Sequence, residues 1–148
     1  MATYFLDTEF NGFGGELISL AMVGEDGREL YLLNIDRRET AVDWVAQNVI
    51  PILTSGDADP VCTPLNEIGH KIAAFLARDR WPHIIVDWPD DLKYLCQVLI
   101  TGPGEMVSIH RFAAEVVRVD SYPTTLPGAV QHNALWDARA LRHALTSP

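Results

Sequence analysis

Two acids stand at alternate positions in "YFLDTEFNGF": Asp7 and Glu9, with Thr8 between them. The run before them, Tyr4-Phe5-Leu6, is apolar and reads as a buried strand. In an extended segment alternate side chains share a face, so both carboxylates point the same way. Two like charges that close oppose each other's ionisation, and a cation between them removes the conflict. A ligand set made only of oxygen suits hard ions, magnesium or manganese. The plainer alternative is a strand end reaching solvent, where acids do no harm. A second acid group, Asp87, Asp90 and Asp91, follows the apolar run Ile84-Ile85-Val86. Acids in the first turn of a helix stabilise it by up to ~1 kcal/mol, so this group also reads as an ordinary helix start. The third group is His132 and Asp137 in "HNALWDARAL", where Asn133 is a candidate helix cap. An imidazole with a pKa of about 6.5 suits proton transfer at neutral pH. Each group falls at a strand end or a helix start in a separate part of the chain. Such ends can converge on one edge of an α/β sheet, where four carboxylates and a histidine would make a two-metal hydrolytic site.

The elements that would position these groups can be read from periodicity. "TYFLD" is a short strand, and "ELISLAMVGEDGRELYLLNI" reads as two strands around a turn at Gly24, Asp26 and Gly27. Together they predict a three-stranded antiparallel meander. "ETAVDWVAQNVIPIL" reads as a helix with Val42, Val45 and Val49 on one face and Pro51 as its stop. Asp57 to Pro60 are turn formers. "CTPLNEIGHKIAAFLAR" reads as a second helix capped by Thr63, with Pro64 at its first position. "HIIVDW" is a strand, "PDDLKYLCQVLI" a helix opened by Pro89, and "AAEVVRVD" a last strand. Ser121 to Gly128 is a loop, and "HNALWDARALRHAL" closes the chain with Ala134, Ala138, Leu141 and Leu145 on one face. The predicted fold class is α/β: a mixed central sheet, antiparallel meander plus parallel strands, flanked by helices.

The totals set bounds. The 148 residues suit a single domain spanning 1–148, large enough to fold without a disulfide or metal staple. Neither Cys62 nor Cys96 sits in a CxxC spacing, which argues against structural zinc, and Cys96 in its helical pattern reads as a small hydrophobe. The start "MATYFLDTEF" lacks the basic and apolar regions of a signal peptide, and no apolar run suits a membrane span. The expectation is a cytoplasmic protein. A net charge of -9 argues against whole-surface binding to nucleic acid, but divalent cations would invert the local potential at an acidic site.

The motifs resemble a known family. "LDTEFNG" is similar to the first motif of the DEDDh, DnaQ-like 3'-5' exonucleases, and "HNALWDARAL" matches their third, His-x-Ala-x-x-Asp-Ala-x-x-Leu, at every named position. The short length and "VDWPDDLKYL" look most like the compact, RNase T-like exoribonucleases of mycobacteria. In the middle motif the family shows Asn, then three residues, then the catalytic Asp; here Asp87 falls at the Asn position and Asp91 fits the Asp with its trailing Tyr94-Leu95. Asp91 is therefore the expected ligand, and Asp87 its rival.

The resemblance implies an RNase H-like fold and a 3'-5' exoribonuclease that releases nucleoside 5'-monophosphates from RNA. It implies two divalent ions, Mg2+ or Mn2+, held by Asp7, Glu9, Asp91 and Asp137, with Asp7 bridging them and His132 as general base. It places the terminal-nucleotide pocket just after the first motif, at Phe10, Asn11 and Gly12. Trp88 beside the middle motif is a candidate for the substrate groove, although a packing role is the plainer reading. Trp44 and Trp81 read as packing residues, and His70, His83, His110 and His143 as structural or exposed. A homodimer is also implied. The alternatives are an exodeoxyribonuclease of proofreading type, an RNase H-like endonuclease that would not need His132, and a non-catalytic nucleic-acid-binding relative.

Overall fold

The computed structural model describes residues 1–120 and 125–148. β1 (Thr3–Phe10), β2 (Leu17–Gly24) and β3 (Glu29–Asn34) form the expected meander, each antiparallel to the next. Then come α1 (Asp43–Asn48), a 3-10 turn over Ile50–Ile52, β4 (Val61–Thr63), α2 (Leu65–Leu76) and β5 (His83–Val86). α3 (Pro89–Leu99), a hairpin of β6 (Ile100–Gly102) and β7 (Glu105–Met106), β8 (Ala113–Val116) and α4 (Ala134–Thr146) complete the chain. The main sheet has six strands in the order β4-β3-β2-β1-β5-β8. β5 runs parallel to β1 and β8, and β4 runs parallel to β3. This is the mixed α/β sheet flanked by helices that an RNase H-like fold requires.

The strand period of two assigns the faces. Tyr4, Leu6, Leu20, Met22 and Leu32 pack with Ile68, Ile72 and Leu76 of α2 and with Tyr94, Leu95 and Leu99 of α3. On the other face Phe5 and Ile85 meet Leu141 of α4, while Ala21, Val23 and Tyr31 meet Ala134, Leu135 and Ala138. Each fully buried side chain such as Leu6, Ile72 or Leu95 contributes roughly 1.5–3 kcal/mol. α2 and α3 lie so close that a Cβ on Gly69 would stand 2.0 Å from the Val98 carbonyl oxygen, so only glycine fits there. Among the described residues no helix is long and apolar enough to cross a membrane.

Several boundaries differ from the sequence reading. The helix expected over 39–53 is only six residues, and the chain then tightens into the 3-10 turn containing Pro51. Val42, expected on its buried face, is exposed. Thr63 does not cap α2: it pairs with Asn34 in β4, and Pro64 takes the cap position. The last strand stops at Val116, short of the expected 120. Cys96 is exposed, as are Trp44 and Trp81. Arg111 lies over the Trp81 ring, 3.7 Å from its centroid. Of the loop expected over 121–128, the first four residues lie outside the described residues.

Candidate metal centre and active site

β1 and β5 are hydrogen-bonded neighbours only as far as Phe5 and Ile85. Beyond that point β1 continues alone against β2 to Phe10, and a gap opens along its other edge. The acids gather at this opening, just past the stretch where the two parallel strands pair and on its carboxyl side, where ligands of open α/β sheets bind.

Asp7 and Glu9 point to the α4 face, opposite Ala21 and Ser19 of β2. These small partners leave room above the sheet. Ala134 and Ala138, one turn apart on α4, pack against Ala21 and bring the helix close. Asp137 is in the first turn of α4 and so reaches Glu9, with which it hydrogen-bonds. Two carboxyls can bond only if one of them keeps a proton. The cap expected at Asn133 is present: its side chain accepts from the backbone N–H of Leu135 at 3.1 Å and of Trp136 at 3.3 Å.

Asp91 enters from the first turn of α3 and is only 2% exposed. Its Oδ1 accepts from the Thr8 backbone N–H at 3.0 Å and from Thr8 Oγ1 at 2.5 Å. The Asp91 carboxylate thus takes the place of the missing strand partner and satisfies a buried N–H. Asp87 stands just past the end of β5. The carboxylates form two groups, Asp7-Asp87-Asp91 and Asp7-Glu9-Asp137, with the oxygens in each within 4.8 Å of one another. Asp7 belongs to both. The rivalry between Asp87 and Asp91 is therefore no choice in space, since both face Asp7. Asp90 is outside these groups and accepts from the Trp88 indole N–H at 2.6 Å.

The electrostatics follow from this crowding. Burial, and then the neighbouring Asp91, Asp137, Glu9 and Asp87, hold Asp7 well above the usual carboxylate range. Burial and then Asp137 do the same to Glu9. Burial raises Asp91 to about 7 against the lowering pull of the Thr8 bonds, and raises Asp137 to about 7 against its bond with Glu9. Asp7 Oδ2 is buried without a hydrogen-bond partner among the described residues. A buried, unpaired acceptor is costly, and a hard cation is the partner that an all-oxygen set fits. The residues present fit divalent metal binding.

His132 sits just before α4 and belongs to neither acid group. It is the one non-glycine residue with positive φ (62°) among the described residues. Its ring lies edge-on to Trp44 at a centroid distance of 4.9 Å. Burial lowers its pKa from the ordinary value.

No model of a protein family matches the chain. Two proteins named 3'-5' exoribonuclease, from two strains of Mycobacterium tuberculosis, are each 47% identical to it, over 92% of this chain and 86% of each relative. The chain belongs to this 3'-5' exoribonuclease family.

The residues expected to line a pocket in this exoribonuclease-family chain have the following surroundings. Phe10 stacks on Tyr94 at 4.8 Å, on the face away from Asp7 and Glu9. Asn11 is buried; its Nδ2 donates to Glu39 Oε2 and the Thr40 carbonyl, and its Oδ1 accepts from the Val42 N–H. Gly12 has φ +72 and faces Val42. Trp88 is 39% exposed beneath Arg118, 4.7 Å from its ring centroid. Sequence reasoning missed Thr8 as the anchor of Asp91 and Trp44 as the neighbour of His132. The first had a signal, a hydroxyl between two acids on the opposite face of the strand. The second had none, since Trp44 and His132 lie 88 positions apart in the chain.

Proposed function

We propose that this chain is a metal-dependent 3'-5' exoribonuclease of the DEDDh type, a single domain over 1–148 that hydrolyses RNA from its 3' end to nucleoside 5'-monophosphates. The observation that carries the reading is the meeting of two acid groups at Asp7, whose Oδ2 is buried and unpaired. A phosphodiester cannot approach five clustered carboxyls unless cations offset them. Asp7, Glu9 and Asp137 would hold one ion, and Asp7 with Asp91 and Asp87 a second. Bound Mg2+ or Mn2+ supplies Lewis acidity and positive charge to the phosphate oxygens.

The chain's own residues do the rest. Thr8 fixes Asp91 through two hydrogen bonds, so the carboxylate is held before any ligand arrives. Asn133 caps α4 and so fixes the first turn that carries Asp137. His132 accepts the proton of the attacking water on an unprotonated ring nitrogen. Its lowered pKa keeps that nitrogen free at neutral pH. A cytoplasmic homodimer acting on RNA completes the reading.

End-labelled RNA and DNA oligomers, incubated with Mn2+ and with EDTA, test it. RNA shortened stepwise from the 3' end, only with metal, is the expected result. Internal cuts would favour an endonuclease, preferential loss of DNA a deoxyribonuclease, and no cleavage a binding module.

A further inference from the structure

His132 stands on a loop, and an imidazole there is free to turn about two side-chain bonds. A general base must nevertheless point at one place. The backbone at this residue is in the left-handed region, which side chains rarely adopt and which persists only where the surroundings fix it. Beside it stands one small unit, α1 with its 3-10 turn. The Asn133 side chain donates to the Ile52 carbonyl at 3.1 Å and to the Tyr31 hydroxyl at 3.3 Å. Tyr31 in turn donates to the Leu53 carbonyl at 2.9 Å. The imidazole itself meets Trp44 of the same unit.

That unit is anchored to the sheet independently of His132. Val45, Val49 and Leu53 pack with Ile18. At its amino end, Asn11 bonds Thr40 and Val42, directly after the strand that carries Asp7 and Glu9. Trp44 gains little from this packing: the residue is more than half exposed (54%). The indole stands outside the core clusters and against a histidine in an unusual backbone state.

We propose that Trp44 is a positioning residue: its indole is the wall that holds the His132 imidazole in the orientation in which it takes the proton. This rests on the reading of His132 as the base. It also makes Asn11, through the 39–44 segment, the link that holds the wall in register with Asp7 and Glu9.

The test measures kcat and KM on a short RNA with Mn2+ for Trp44→Ala, Trp44→Phe, His132→Ala and the Trp44→Ala/His132→Ala pair. Misplacing a reacting group by about 1 Å can cost up to ~100-fold, so Trp44→Ala is expected to lower kcat by roughly 10- to 100-fold. KM should hold within about twofold, and Trp44→Phe should recover most of the rate. The double variant should be no slower than His132→Ala, because a wall has no effect once the base is gone. A raised KM with unchanged kcat would overturn the proposal in favour of substrate stacking on the indole. So would losses that multiply in the double variant.

Proton NMR of the metal-free protein gives a second readout. The His132 ring protons should carry a ring-current displacement that Trp44→Ala abolishes and Trp44→Phe largely keeps. No displacement in the wild type would also overturn the proposal. A fully active His132→Ala enzyme would instead sink the base assignment beneath it. That failure is told apart because the displaced ring resonances would still be present.

Discussion

Replacing Asp91 by Asn is expected to stabilise the metal-free protein while destroying its activity. Asn keeps the size and keeps Oδ1, so both bonds from Thr8 survive. What is lost is one negative charge in a crowded, buried cluster. Burial raises Asp91 from 3.8 to about 7. A carboxyl raised in the folded state favours folding only while protonated. That contribution is complete below the unfolded value, near 4, and is lost as pH rises through about 7. At about 1.4 kcal/mol per pKa unit, ionised Asp91 destabilises the metal-free fold by about 4 kcal/mol at pH 8. The buried amide N–H atoms of Asn offset part of the gain, leaving roughly 2–4 kcal/mol. For a chain of this size that is a rise of roughly 5–15 °C in Tm. The assay is thermal unfolding by circular dichroism in EDTA at pH 8 and pH 5. Asp91→Asn should unfold well above wild type at pH 8 and much nearer to it at pH 5, where most of the wild-type penalty is absent. With Mn2+ the wild type should overtake the variant. A variant less stable than wild type in EDTA at both pH values would refute the reasoning, since Asp91 would then be a structural carboxylate.

Thr8→Val removes the shorter of the two bonds to Asp91. A hydrogen bond to a charged group is worth about 1.5–3 kcal/mol, so Mn2+ affinity and kcat/KM should fall at least about tenfold, read by titration and by RNA turnover. Asn133→Ala removes the α4 cap and the bonds to Ile52 and Tyr31; a loss of about 2–4 kcal/mol is expected in urea unfolding, and a loss under 0.5 kcal/mol would contradict it. His132→Ala should lower kcat by about 10²–10⁴-fold. Burial lowers the His132 pKa, so at saturating metal the wild-type acid limb should fall below pH 6.5. In the variant that limb should vanish, and an unchanged profile would remove His132 from the chemistry.

What the sequence could and could not supply has physical causes. The shared face of Asp7 and Glu9 follows from strand alternation alone, and the Asn133 cap from local hydrogen-bond chemistry, so both were readable. The meander was readable because its turn residues are local too. Thr63 was misread because its pairing with Asn34 is a tertiary fact: an N-cap propensity lost to a strand ladder. The helix expected from residue 39 starts late because Asn11, far away in sequence, captures the Thr40 carbonyl and the Val42 N–H. Cys96 looked apolar by neighbourhood, yet the buried stripe of α3 runs through Asp91, Tyr94, Leu95 and Leu99 and passes it by. Asp87 and Asp91 looked like rivals because chain spacing cannot show that a strand end and a helix start face the same carboxylate.

The convergence of both acid groups on Asp7 is tested most directly by titrating Mn2+ into the metal-free wild type and into Asp7→Asn by calorimetry at pH 8. Two ions per wild-type chain are expected, one for each group, with both lost or greatly weakened in the variant. A wild type that binds no Mn2+, or an Asp7→Asn variant that keeps wild-type stoichiometry and affinity, would contradict the account.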